Sequence, residues 1–178
     1  LTDATSLGIA ICNTPDGPTI STAEHALALI LSVSKDLNES QGRLRRQEGN
    51  YGPQHRAIEL DGASLALIGL GRIGSRVAQF AVAMGMRVTA YDPFEAAERF
   101  EDLGVERASN LHDAVSSAHI VSIHAPLTPE TRHLVDAELF SQMQDGVLIV
   151  NTARGGLIDD HALLAALNSG KVAGAGLD

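Results

Sequence analysis

The chain has 178 residues, 44% of them hydrophobic, which is enough for one domain of ordinary size with its own core. Its formal net charge is −9, from 22 acidic against 13 basic side chains, and its longest basic cluster is Arg43-Leu44-Arg45-Arg46, which argues against nucleic-acid binding. The single cysteine, Cys12, excludes an internal disulfide framework and fits a reducing, cytoplasmic compartment, while the longest apolar run, Ala26 to Leu31, is too short to span a bilayer. No signal peptide is visible, and the opening at Leu1 in place of a methionine points to residues removed upstream.

Taken in chain order, residues 6–15 (SLGIAICNTP) read as a short strand ended by a proline turn, with no partner strand nearby. Residues 19–37 read as a helix, capped by Ser21 or Thr22 with Glu24 in its first turn. From Ala26 to Val33 it is apolar on nearly every face, so burial on more than one side is expected, at a domain or subunit interface. Residues 38–57 are polar, carry Gly42, Gly49, Gly52 and Pro53, and read as a linker or arm.

From Leu60 onward strands and helices alternate. Strand-like segments are SLALIGLG (64–71), MRVTAYD (86–92), VERAS (105–109), HIVSIHAP (119–126), GVLIVNTA (146–153) and VAGAGLD (172–178). Between them lie five helical segments. The first has Ile73, Val77, Phe80 and Met84 on one face and closes at Gly85; the others are 93–104, 111–118, 136–143 and 159–170. Gly104 and Gly170 mark the ends of the second and last of these. The continuous apolar strands predict a parallel sheet covered on both faces. Right-handed crossovers then make the fold α/β, a Rossmann-type doubly wound parallel sheet with helices on both faces.

The segment Gly69-Leu70-Gly71-Arg72-Ile73-Gly74 ends the first of these strands and opens the next helix. A glycine-rich turn alone is a weak signal. Its place in a strand–helix–strand unit of about 30 residues strengthens it, as does an acid, Asp92, about 20 residues on. Gly69 permits the tight turn, Gly71 lets the backbone approach a pyrophosphate, and Gly74 lets helix and strand pack closely. The N–H groups of Arg72 and Ile73 face the anion at the helix start. Asp92 would accept hydrogen bonds from an adenosine ribose and repel a 2′-phosphate, favouring NAD over NADP. Asp92 also precedes Pro93, and its other reading is a turn former.

Four ordered stretches carry a resemblance: NTPDGPTISTAEHALALIL, LIGLGRIGSRVAQFAVAMGMRVTAYDP, VSIHAPLTPETRHLVDAELF and LIVNTARGGLIDDHALLAALNSGKVAGAGLD. Together they resemble the D-isomer-specific 2-hydroxyacid dehydrogenases over nearly the whole chain. The resemblance implies an NAD domain inserted within a substrate domain. Residues 1–18 would be a remnant of the substrate-binding domain, 19–57 an interdomain and dimer helix with its arm, and 58–178 the NAD-binding domain. It implies a homodimer, a small 2-hydroxy or 2-keto acid substrate, NAD as cofactor, and no nucleic-acid or membrane partner.

By the same resemblance, Arg154 matches the arginine that binds the substrate carboxylate, and a guanidinium fork suits that task. Thr152 and Ala153 match positions on the nicotinamide side. His124, Ala125 and Pro126 match the loop under the adenosine and ribose, Thr131 lies in a segment near the cofactor, and Asp178 matches the acceptor for the nicotinamide carboxamide. The family's catalytic Glu and His lie beyond the Gly-Leu-Asp strand, and the sequence ends at Asp178. The 178-residue chain is therefore expected to bind NAD(H) without turning over. None of its seven histidines replaces the missing one or has metal-ligand spacing with a second ligand. An alternative within the same fold is an NAD(H)-sensing, corepressor-like binding protein. Relatives usually have Lys and Gly where this chain has Ser64 and Ala66, and often a Trp in the arm where it has GNYGPQ.

Overall fold

The computed structural model describes residues 2–14, 17–48 and 56–178. A parallel six-stranded sheet organises the molecule: β1 (Ser64–Ile68), β2 (Arg87–Tyr91), β3 (Glu106–Arg107), β4 (Ile120–Ile123), β5 (Val147–Asn151) and β6 (Val172–Leu177). Its spatial order is β3-β2-β1-β4-β5-β6. All five pairings are parallel. The chain runs outward from β1 to one edge, then crosses to β4 and runs to the other. The expected doubly wound fold is present, and the reversal between β1 and β4 makes a crevice beyond the strands' carboxyl ends.

Residue alternation along the strands builds two cores. Leu65, Leu67, Val88, Ala90, Ile120, Leu148 and Val150 point to one face, and Ala66, Ile68, Val121, Ile123 and Ile149 to the other. Helices α4 (Arg72–Ala83) and α5 (Ala97–Leu103) cover the first face, with Val77, Ala78 and Phe100 buried. Ile73, Phe80 and Met84 pack there only partly buried. The second face is covered by α6 (Leu111–Val115), α7 (Ala137–Gln142) and α8 (Asp160–Ser169). Gly104 and Gly170 end α5 and α8 with φ of 66° and 79°.

Several local expectations are corrected. Residues 7–14 form no strand. A short helix α1 (Thr2–Ser6) precedes an irregular segment with Leu7, Ile9 and Ile11 exposed, which pairs with no strand among the described residues. Helix α2 spans Thr19–Ser34, not 19–37, and is capped by neither Ser21 nor Thr22. Pro18, at the N-cap position, starts the helix earlier, so Thr22 N donates to Pro18 O (2.9 Å) and Glu24 lies past the first turn. The linker expected at 38–57 is in part a second helix, α3 (Leu37–Arg45), set off by Asp36 at φ 51°; residues 49–55 of that segment lie outside the described residues. Helix α5 begins at Ala97 and not Pro93, since Asp92 Oδ1 accepts Phe94 N (3.0 Å) in a turn.

Helix α2 lies on the same face as α4, over β5 and β6, with Ala23, Ala26, Ile30 and Ser34 buried. Leu29, Leu31 and Val33 are partly buried on its flanks. Its end is tied to the returning chain: Ile58 N donates to Ser34 O (2.8 Å), and Lys35 Nζ to Ile58 O (2.8 Å). Among the described residues no helix is long and apolar enough to cross a membrane.

Candidate functional site

The loop between β1 and α4 begins at Gly69, whose φ of 100° is open to glycine and strained for other residues. A Cβ there would lie 2.9 Å from His124 C and 3.0 Å from Ala125 N, so the loops after β1 and β4 touch through backbone alone. A Cβ on Gly74 would collide with Gly69 O. Gly71 differs: a Cβ there would meet nothing within 4 Å among the described residues, which leave that position open.

The loop is pinned from both sides. Leu70 N donates to Asp92 Oδ2 (2.8 Å), and the hydroxyl of buried Ser75 donates to Leu70 O (2.7 Å). Asp92 is thus a turn former at one carboxylate oxygen and a loop anchor at the other, and each oxygen keeps a further lone pair. An open cleft of about 490 Å3 lies beside it, lined by Tyr91, Asp92, Pro93, Arg107, Ala108 and Ser109. Arg107, which the sequence reading passed over, stacks its guanidinium 5.2 Å from the Phe100 ring centroid.

Beyond β4, His124 N donates to Ile68 O (2.8 Å), locking its loop to β1. The His124 ring is half-buried and shares a hydrogen bond between Nε2 and Ser122 Oγ (2.9 Å). Its Nδ1 is sealed from solvent without a partner among the described residues. Removal from water pushes its pKa down from 6.5 to about 4, so the ring is neutral at pH 7. Ala125 is partly buried and Pro126 exposed. Thr131 is committed to the loop: its Oγ1 donates to Pro126 O (2.6 Å) and accepts from Thr128 N (2.8 Å).

Beyond β5, Thr152 is buried with Oγ1 unpartnered among the described residues. The strand register pairs Ile123 with Asn151, so His124 and Thr152 follow at neighbouring strand ends. Asn151, a residue the sequence reading quoted without a role, is 2% exposed and brackets the turn. Its Oδ1 accepts Ala153 N (2.9 Å), its Nδ2 donates to Arg154 O (2.9 Å), and its carbonyl accepts Asp178 N (3.0 Å). Arg154 is exposed, with Nη1 on Ala153 O (2.7 Å). Asp178, just past β6, lies 3.9 Å from His25 Nε2 of α2.

All the sequence-nominated residues therefore follow the carboxyl ends of the strands or open α4, with Thr131 one step behind as a staple of its loop. A positive-φ glycine turn, a helix start open to a ligand, a carboxylate at the end of β2 and unpartnered polar atoms beyond β4 and β5 define a dinucleotide-binding α/β domain. The family model described as "D-isomer specific 2-hydroxyacid dehydrogenase, NAD binding domain" matches residues 27–178, and the chain belongs to that family.

Among curated proteins it is 43% identical over 176 residues to the D-3-phosphoglycerate dehydrogenase of Bacillus subtilis, covering 99% of this chain and 33% of that protein. It is 41% identical to the enzyme of that name from Methanocaldococcus jannaschii, covering 98% of this chain and again 33% of the relative. Among solved structures, the Aquifex aeolicus D-lactate dehydrogenase complexed with NAD and lactic acid superposes with a TM-score of 0.90 at 36% identity. That match covers 99% of this chain and 53% of the other. The chain thus spans a third of the length of these curated relatives and about half of the solved one. The residues present fit NAD: Gly71 leaves the loop open to a pyrophosphate, and His124 Nδ1 and Thr152 Oγ1, at adjoining strand ends, are buried without a partner among the described residues.

Proposed function

We propose that the chain is the cofactor-binding part of a cytoplasmic, homodimeric NAD-dependent D-2-hydroxyacid dehydrogenase. Residues 1–18 belong to its substrate domain, 19–57 to an interdomain and dimer helix with its arm, and 58–178 to the NAD domain. Exposed Leu7, Ile9 and Ile11 alternate along a segment with no sheet of its own, which supports the first assignment. The compartment rests on the single free cysteine. Named relatives that are dehydrogenases do not favour the corepressor-like alternative.

When bound, NAD supplies the hydride acceptor or donor at its nicotinamide for interconversion of a 2-hydroxy and a 2-keto acid. The chain's own residues bind and orient. Gly69, Gly71 and Gly74 shape the loop, and the N–H groups of Arg72 and Ile73 meet the pyrophosphate, with the Arg72 side chain alongside. Asp92 offers its spare lone pairs to the adenosine ribose. His124, Ala125 and Pro126, with Thr131 fixing their loop, form the floor beneath the adenosine and ribose. Thr152 and Ala153 line the nicotinamide side, and Asp178 accepts from the carboxamide. Arg154 holds the substrate carboxylate in its guanidinium fork and polarises the adjacent carbonyl.

The observation that carries this reading is the open position at Gly71 in a loop otherwise closed by backbone contacts. Calorimetric titration with NADH and separately NADPH tests it. Tight NADH binding with much weaker NADPH binding is expected, because a 2′-phosphate would meet Asp92. Arg107 lines the same cleft, so equal affinity for NADPH would overturn the role given to Asp92. No steady NADH oxidation is expected from the 178-residue chain with glyoxylate, hydroxypyruvate or pyruvate, because it spans only a third of the length of its curated relatives.

A further inference from the structure

We propose that His25, on α2, is a positioning residue for the nicotinamide end of the cofactor: it draws one carboxylate oxygen of Asp178 to itself and so leaves the other turned toward the carboxamide. This rests on the role proposed for Asp178. It adds to the site a helix to which the sequence reading gave no part in cofactor binding.

Two periodicities bring the residues together. Alternate positions of a strand share a face, and positions four apart on a helix share a face. Asp178 N donates to Asn151 O (3.0 Å), which carries the sheet's hydrogen bonding one residue past β6 and keeps Asp178 in the alternation of Gly174 and Gly176. A Cβ on Gly174 would lie 4.0 Å from Val33 Cβ, and one on Gly176 would lie 3.0 Å from Leu29 Cβ. Contacts therefore step up β6 as they step back along α2. Two strand residues advance about 6.6 Å and four helical residues about 6 Å, so the next step sets His25 against Asp178. The structure places His25 Nε2 3.9 Å from Asp178 Oδ2. The absence of side chains at 174 and 176 is what lets the helix lie this close to the strand.

At 3.9 Å the pair is within ion-pair range and beyond a direct hydrogen bond, so the pull is electrostatic and modest between half-exposed groups. A modest pull is sufficient here. The Asp178 backbone is already fixed on Asn151, and only the side-chain torsions remain to be set. With Oδ2 drawn toward α2, Oδ1 is the oxygen left to accept from the carboxamide.

The test is calorimetric titration with NADH and with ADP-ribose, which is the cofactor without its nicotinamide. It is run on the parent chain, His25→Ala, His25→Lys, Asp178→Ala and the double alanine variant. His25→Ala is expected to weaken NADH about threefold and leave ADP-ribose unchanged, and His25→Lys, which keeps a cation, to restore NADH binding. Asp178→Ala should weaken NADH about tenfold, and adding His25→Ala should then change nothing further, because the two act as one unit. A loss shared equally by ADP-ribose and not recovered by lysine would make His25 a packing residue and overturn the proposal. So would unchanged NADH binding in His25→Ala beside a clear loss in Asp178→Ala, which would leave the role of Asp178 standing. Unchanged NADH binding in Asp178→Ala would instead remove the carboxamide role itself and this inference with it. A parent chain that binds neither ligand would overturn the cofactor reading as a whole.

Discussion

Three glycines share one loop, and the structure separates their reasons. Gly74 is required by packing, since a methyl group there strikes Gly69 O; Gly71 is required by no contact among the described residues. Gly74→Ala is therefore expected to destabilise the protein by about 1–3 kcal/mol in urea unfolding. Gly71→Ala should leave the urea midpoint unchanged while weakening NADH binding about tenfold or more, because its methyl group stands between the loop N–H groups and the pyrophosphate. Unchanged NADH affinity in Gly71→Ala would remove the main support for the cofactor pose. His124 gives a pH signature at the same scale. Its folded pKa of about 4 lies below the ordinary 6.5, so the unfolded chain binds the extra proton between those values. The stability that depends on neutral His124 is complete above pH 6.5 and is lost as pH falls toward 4. Thermal melts of the chain and of His124→Gln across that window should show a steeper fall for the parent; parallel curves would mean that the ring titrates elsewhere. The positions of these residues were legible in the sequence, but their second duties were not. That Asp92 anchors Leu70 N and Thr131 staples Pro126 O depends on loop geometry that no spacing rule encodes.

At the level of elements, the turn leaving β5 shows how much of the site depends on one side chain. Asn151 fixes Ala153 and Arg154 through both ends of its amide, and Asp178 through its carbonyl, while remaining buried. Asn151→Ala leaves Ala153 N and Arg154 O without these partners, at an expected cost of about 1–3 kcal/mol. The urea midpoint should fall with an unchanged m value, and NADH affinity should fall with it. An unaltered midpoint would mean that the bracket seen here does not hold the turn. The six strands and the alternation with helices were readable because buried parallel strands are apolar throughout and end in glycine or proline signals. Misreadings fell where a local pattern competed with tertiary context. Residues 7–14 have strand composition but pair with no strand among the described residues. Residues 37–45 are too polar to signal burial, and as a helix they bury no residue at all. The start of α5 was misplaced because an Asx turn at Asp92 delays the helix past Pro93.

At the scale of the whole molecule, α3 raises the question of assembly. A nine-residue helix is too short to be stable alone in water, and this one buries none of its own residues against the chain. Its polar side is organised by Glu39, which accepts from both Arg43 Nε (2.9 Å) and Arg46 Nη2 (2.9 Å), an arrangement of small energetic value at an exposed surface. Leu37 and Leu44, seven residues apart and therefore on one face, are 51% and 68% exposed. A helix that presents an apolar stripe outward gains stability when a second subunit covers the stripe, in keeping with the proposed homodimer. Sedimentation equilibrium on the chain is expected to give a dimer, and Leu37→Glu with Leu44→Glu should convert it to a monomer. NADH binding should survive that conversion, because α3 contributes no residue to the crevice beyond the strand ends. A parent chain that sediments as a monomer at about 100 μM, roughly a hundred times the concentration at which a micromolar dimer half-dissociates, would refute the assembly while leaving the cofactor site untouched.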